Sequence, residues 1–370
     1  MKKTIIWLVI IVVVIILVVI AVGVSRNGPA LDNKTIKVAA LLSLTGDAAA
    51  WGQNAERAIQ LATEQINQLG GVNGQQLEVI YEDTGADPKR AVSAFQKVTA
   101  IDNVVAVIGP LNQTEDVAVA PIIKQTGTPT IVPGYLPISN RTNITNPIIV
   151  WMDAELEAGR LAQYLFDQGI RRVGIFGTLD SWESTVSGSF ANRFKELGGV
   201  IVDKEIVQPD TAEVRLPITR LVASKPEAIF LGTYYQFVNS TKELHDLGYK
   251  GKLYGIEIDD YLANQTAAWT NGLQFIAPDH YQNDFIETFT NKYGMAPGLP
   301  AGQSYDAANI LFSFLKQSIN KAEILELMKS FSQYDGVSGQ LEIRPDGRSF
   351  LPVALFELRQ GEVSRVSNLP

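Results

Sequence analysis

The chain has no cysteine and only two histidines, His245 and His280. This excludes disulfides, thiolate nucleophiles, iron–sulfur clusters and Cys-ligated zinc, and leaves too little imidazole for a His-rich metal site. Neither a Gly-x-Ser-x-Gly elbow nor a phosphate-binding loop occurs, and no two carboxylates stand out as an acid–base pair. The expectation is therefore a protein that is not an enzyme and needs no cofactor. What remains is the chemistry of binding. Glu257 follows Leu253-Tyr254-Gly255-Ile256 and so sits at the carboxyl end of a predicted strand. A carboxylate there, facing a cleft, is a counter-ion for a buried cation; the plainer alternative is a solvated loop acid. Asp259 and Asp260, just beyond, read as helix-capping residues.

The elements that would position such residues alternate. Short β-branched runs at 36–42, 77–83, 104–109 and 128–132 are separated by helical patterns at 52–69, 88–101 and 114–126. In the first helix Ala55, Ala58, Ile59, Ala62 and Ile66 recur at the spacing of one helix face. IIVWM at 148–152 then opens a second series, with helices at 154–168, 183–197 and 213–224 and strands at 171–177, 200–207 and 228–232. Such alternation predicts an α/β fold of parallel sheets flanked by helices. LGGV occurs at 69–72 and again at 197–200, each time between a helix and a strand, and VVAVIG at 104–109 is echoed by EAIFLG at 227–232. A common offset near 125 residues argues for a duplicated unit. In open parallel sheets a ligand sits outside the carboxyl ends of the strands, so two such units facing each other form a cleft.

The 370 residues suit two domains, and 19% charged with 46% apolar residues is ordinary globular composition. A net charge of −8, with no stripe of Lys and Arg, argues against a nucleic-acid partner. Lys2 and Lys3 precede an unbroken apolar run from Ile5 to Val24. As a helix that run spans roughly 30 Å, the thickness of a bilayer's hydrocarbon core. It reads as one transmembrane helix anchoring an extracytoplasmic body; a signal cleaved after Ala21-Val22-Gly23 is the alternative. Residues 25–33 read as a linker.

Several stretches together resemble the type I periplasmic binding proteins of the branched-chain amino acid (Leu/Ile/Val) class, which deliver solutes to ABC importers. They are LLSLTGDAAAWGQNAERAIQLATEQIN, LGGVNGQQLEVIYEDTGADPKRAVSAFQKV, VVAVIGP, GTPTIVPG, AIFLGTYY, GKLYGIEI, SYDAANIL and GVSGQLEIRPDGRS, which run in order over nearly all of 36–360. The resemblance implies a two-lobe, Venus-flytrap fold. One lobe would hold 34–150 with 277–340, the other 151–276 with 341–370, after the membrane segment and linker of 1–33. It implies a small-molecule ligand, an amino acid or amide-like solute, and an ABC permease as membrane partner. The alternative within the same fold is a ligand-sensing ectodomain acting on a partner membrane signalling protein.

The resemblance also nominates residues. A free amino acid buried in a cleft needs donors for its carboxylate and an anionic acceptor for its ammonium. The donors would come from the loop of Asn112, Gln113 and Thr114, which leads into a helix, and from the loop of Gly134 and Tyr135. Asn112 and Thr114 are equally ordinary N-cap types. Gln113 stands where the family usually has Ser, and Tyr135-Leu136-Pro137 replace small residues and a hydroxyl, which puts the carboxylate site in doubt. Glu257 matches the acid that pairs the ammonium, and Tyr234, Trp182 and Trp51 match rings that line or cap the cleft. The family's usual disulfide is absent at both of its places, near Ala86 and Asn112.

Overall fold

The computed structural model describes residues 35–46, 48–136, 148–344 and 348–368. The apolar run at 5–24, the linker and Pro137 lie outside the described residues. Among the described residues no helix is long and apolar enough to cross a membrane.

Five strands form an all-parallel sheet in the order β2-β1-β3-β4-β5: β1 (Ile36–Leu42), β2 (Leu77–Asp83), β3 (Val107–Ile108), β4 (Thr130–Val132) and β5 (Ile148–Ile149). In β1 every residue but Lys37 is buried, as expected of a central parallel strand covered on both faces. The connecting helices are α1 (Ala49–Gln68), α2 (Pro88–Ala100) and α3 (Gln113–Thr126). All five apolar positions expected to face inward from α1 are buried. α2 begins where Asp87 accepts hydrogen bonds from the N–H groups of Lys89 and Arg90 and Pro88 occupies the first helical position.

A seven-stranded sheet follows. It comprises β6 (Arg172–Thr178), β7 (Val200–Val207), β8 (Ala228–Gly232), β9 (Lys252–Ile256), β10 (Gln274–Pro278), β14 (Val353–Arg359) and β15 (Glu362–Asn368). Its parallel part runs β7-β6-β8-β9-β10, and β14 and β15 add antiparallel to β10. Its helices are α4 (Ala154–Asp167), α5 (Ser181–Glu196), α6 (Arg215–Ala223), α7 (Phe237–Asp246) and α8 (Asp260–Thr266). The parallel order matches that of the first sheet strand for strand, with β6 to β10 in the places of β1 to β5. The LGGV echo is structural too. Gly71 N–H donates to the Ile66 carbonyl and Gly199 N–H to the Phe194 carbonyl, both 128 residues apart. Gly70 and Gly198 both take the left-handed backbone, at φ 99° and 93°. This is the same glycine C-cap closing equivalent helices.

Two features differ from the sequence reading. β5, which the sequence pattern places at the start of the second series, completes the first sheet, and Trp151 lies in the segment that crosses to α4. The chain then returns after β10: α9 (Asn283–Tyr293) and α10 (Ala301–Leu315) pack on α1, and α11 (Lys321–Lys329) follows α10. A three-stranded antiparallel sheet of β11 (Gln333–Gly336), β12 (Gly339–Ile343) and β13 (Ser349–Phe350) was not foreseen. Asp306 of α10 ties its turn down, accepting from the N–H groups of Val337 at 2.8 Å and Ser338 at 2.9 Å.

Candidate functional site

In both sheets the strand order reverses beside the first strand of the set, so the chain leaves β1 and β3, and likewise β6 and β8, in opposite directions. Such a switch point leaves a crevice at the carboxyl ends of the strands. Here the two crevices face each other. Asn112, Gln113 and Thr114 after β3 and Tyr135 after β4 line one wall; Asp180 and Trp182 after β6, Tyr234 after β8 and Glu257 after β9 line the other. The cleft encloses about 700 Å³ of empty space, counting its solvent-open mouth.

Glu257 is 5% exposed, and its backbone sits at φ 53°, a left-handed conformation unusual for a side-chain-bearing residue. Burial pushes its carboxyl up to about 8, offset in part by one hydrogen bond. That bond comes from Trp151, whose indole N–H donates to Oε1 at 2.8 Å. Trp51 leans on Trp151 with ring centroids 5.5 Å apart and meets Tyr234 edge-on at 5.9 Å. The Trp51 indole N–H donates to Asp259 Oδ2 at 2.8 Å, and the Tyr234 hydroxyl donates to the same oxygen at 3.0 Å. Because Trp51 belongs to α1 and Asp259 to the turn before α8, this bond bridges the two walls. Asp259 also caps α8 through its other oxygen, accepting from Leu262 N–H at 2.8 Å.

Glu183, 1% exposed, holds the second wall in shape. One of its oxygens accepts from Thr178 N–H at 2.9 Å and the other from Tyr234 N–H at 2.6 Å, tying the ends of β6 and β8 together. Burial, with Asp180 alongside, raises its carboxyl well above the ordinary range. In the first wall, Glu115 and Asp116 lie buried in the first turn of α3. Burial raises both carboxyls, and for Asp116 the neighbouring Glu115 adds to the rise.

A model of the periplasmic binding protein family matches residues 35–362. The chain belongs to that family. It is a family of binding proteins rather than enzymes. A Leu/Ile/Val-binding protein (BraC3) of Rhizobium johnstonii is 24% identical over 342 residues, covering 91% of this chain and 90% of that one. Two solved structures each have a TM-score of 0.83 and cover 90% of this chain. One is a leucine-binding protein of Thermotoga maritima, at 22% identity over 99% of its length. The other is a branched-chain amino acid transporter substrate-binding protein of Streptococcus pneumoniae with isoleucine, at 21% identity over 100% of its length. The shared architecture is the type I two-lobe fold.

Set against this family fold, most of the nominated residues converge on one cleft: Trp51, Asn112, Gln113, Thr114, Tyr135, Trp182, Tyr234 and Glu257. Gly134 does not line it. A Cβ there would lie 2.3 Å from the Leu111 carbonyl oxygen, so glycine is required for two loops to pass each other. Three residues are in the cleft on other terms than expected. The Tyr135 hydroxyl donates to Glu155 at 2.9 Å. Asn112 is the N-cap residue of α3, yet its side chain makes no capping bond; its amide donates to Ser43 at 2.7 Å and Glu115 at 3.0 Å. Thr114 lies inside α3 rather than at its cap. Sequence reasoning missed Trp151, Glu183 and the second role of Asp259. Only for Asp259 was a signal present, its place two residues beyond Glu257 at the end of the same strand.

Proposed function

We propose that this chain is the extracytoplasmic solute-binding component of an ABC importer. Two lobes, about 34–150 with 277–340 and 151–276 with 341–370, close on a small polar solute carrying an amino group, and the closed form docks on the permease. The apolar run at 5–24 anchors the protein to the cell membrane. The observation that carries this reading is the convergence of both sets of strand ends on one cleft that holds a buried carboxylate, Glu257, against a cluster of rings. The relatives' names, as branched-chain amino acid binders, support the solute class. Closure is driven by differential affinity: a solute touching both walls binds the closed state better than the open one. No observation favours the sensing alternative.

The test is a panel of amino acids, amides and amines offered to the full chain in detergent, read by thermal shift, calorimetry and intrinsic fluorescence. Three of the five tryptophans, Trp51, Trp151 and Trp182, line the cleft and so make the last readout sensitive to it. A binding solute raises the melting temperature and changes the emission in a saturable manner. A panel in which no solute does either removes the binding reading.

A further inference from the structure

The cleft is asymmetric in what it offers to charge. Three of its lining side chains are acids, Asp180, Glu183 and Glu257, and no Lys, Arg or His lines it among the described residues. A zwitterionic amino acid needs a second pole that stabilises a carboxylate, and among the described residues no cationic side chain of the lining supplies one. The α3 N-terminus, whose N–H groups attract anions in other settings, is joined by no cationic side chain in the described lining, and its first turn carries two buried acids, Glu115 and Asp116. The described start of the loop after β4 presents Gly134 packed on a carbonyl, Tyr135 with its hydroxyl donating to Glu155, and Leu136, fully buried.

The acceptor side is the opposite. Only Oε1 of Glu257 takes the Trp151 N–H. Gln113, 6% exposed and lining the facing wall, has a buried side-chain carbonyl with no donor. A buried acceptor without a donor costs free energy until something supplies one. The same cleft is lined by Trp51, Trp151 and Tyr234, which pack on one another and whose π systems attract cations.

We propose that the cleft selects a cationic amine that carries no carboxylate, its N–H groups shared between Glu257 and Gln113 and its apolar body held by the rings. This rests on the solute-binding reading and narrows it. A neutral amide keeps the ring contacts but forfeits the ion pair, whereas an amino acid brings a carboxylate into a cleft whose described lining has no Lys, Arg or His to pair it.

The test uses three probes of one carbon skeleton on the full chain by calorimetry: isoamylamine with the ammonium alone, leucine with both charges, and isocaproate with the carboxylate alone. The expected result is that isoamylamine binds at least tenfold more tightly than leucine and that isocaproate gives no heat. Glu257→Gln and Gln113→Leu should each weaken the amine at least tenfold, with unchanged far-ultraviolet circular dichroism. Leucine binding more tightly than isoamylamine, or isocaproate competing with either, overturns the charge selectivity and leaves the binding reading standing. Failure of isoamylamine and of a wider set of alkyl and aryl amines also overturns it; whether the binding reading falls too is then decided by the amino acid and amide arms of the broader panel.

Discussion

Glu257→Gln isolates the cost of burying one carboxylate. Dehydration raises its pKa from 4.5 to about 8 in the folded chain, so the folded state holds a proton that the unfolded state has released throughout that interval. Stability contributed at this position is therefore greatest below about pH 4.5, falls as pH rises, and levels off above about pH 8. The whole interval corresponds to about 5 kcal/mol as a ceiling. Between about pH 5.5 and about pH 8.5 the share is about 3 kcal/mol, or about 6 °C in Tm for a chain of this size. Glutamine keeps the oxygen that accepts from Trp151 and never ionises. Thermal melts of both proteins without solute, across that range, should show the variant gaining on the parent by several degrees as pH rises. Taking the difference removes the titration of Glu183, Glu115 and Asp116, which is common to both. Parallel pH profiles would refute the reasoning, because they would mean that water reaches Glu257 and that the unliganded cleft stands open in solution.

Asp259→Ala should cost about 1–2 kcal/mol in urea melts for the lost α8 cap and, because Trp51 and Tyr234 lose their shared acceptor, should also shift tryptophan emission. Trp51→Phe should loosen the same bridge with the cap intact, which small-angle scattering of the two variants would register as a larger radius of gyration in both. Gly134→Ala, with its new methyl 2.3 Å from the Leu111 carbonyl oxygen, should destabilise by about 1–3 kcal/mol and lower Tm by several degrees. Phe190→Ala removes a ring stacked 4.3 Å from Phe230 and fully buried; chemical unfolding should show a loss of about 3–5 kcal/mol.

Most of the α/β architecture was legible in local patterns. Periodicity is a local property, so the run Ile36–Leu42 could be read as a buried central strand and the spacing Ala55, Ala58, Ile59, Ala62, Ile66 as one helix face without knowing their partners. The doubled LGGV predicted two equivalent units, because a glycine C-cap is specified within a few residues of its helix. Strand ends were legible for the same reason, and with them Glu257 as a residue facing a crevice, whereas Tyr234 and Trp182 were nominated by the family resemblance. The allotment of polar groups was not legible there, because it depends on contacts between distant segments. Trp151 donates to a carboxylate 106 residues away and Trp51 to one 208 residues away. Gly134 matters for a carbonyl on another loop, and Asp259 serves both its own helix and the opposite wall. Each such choice depends on which atoms meet when two lobes come together, and a hydrogen bond is set by distance and direction in space rather than by spacing along the chain.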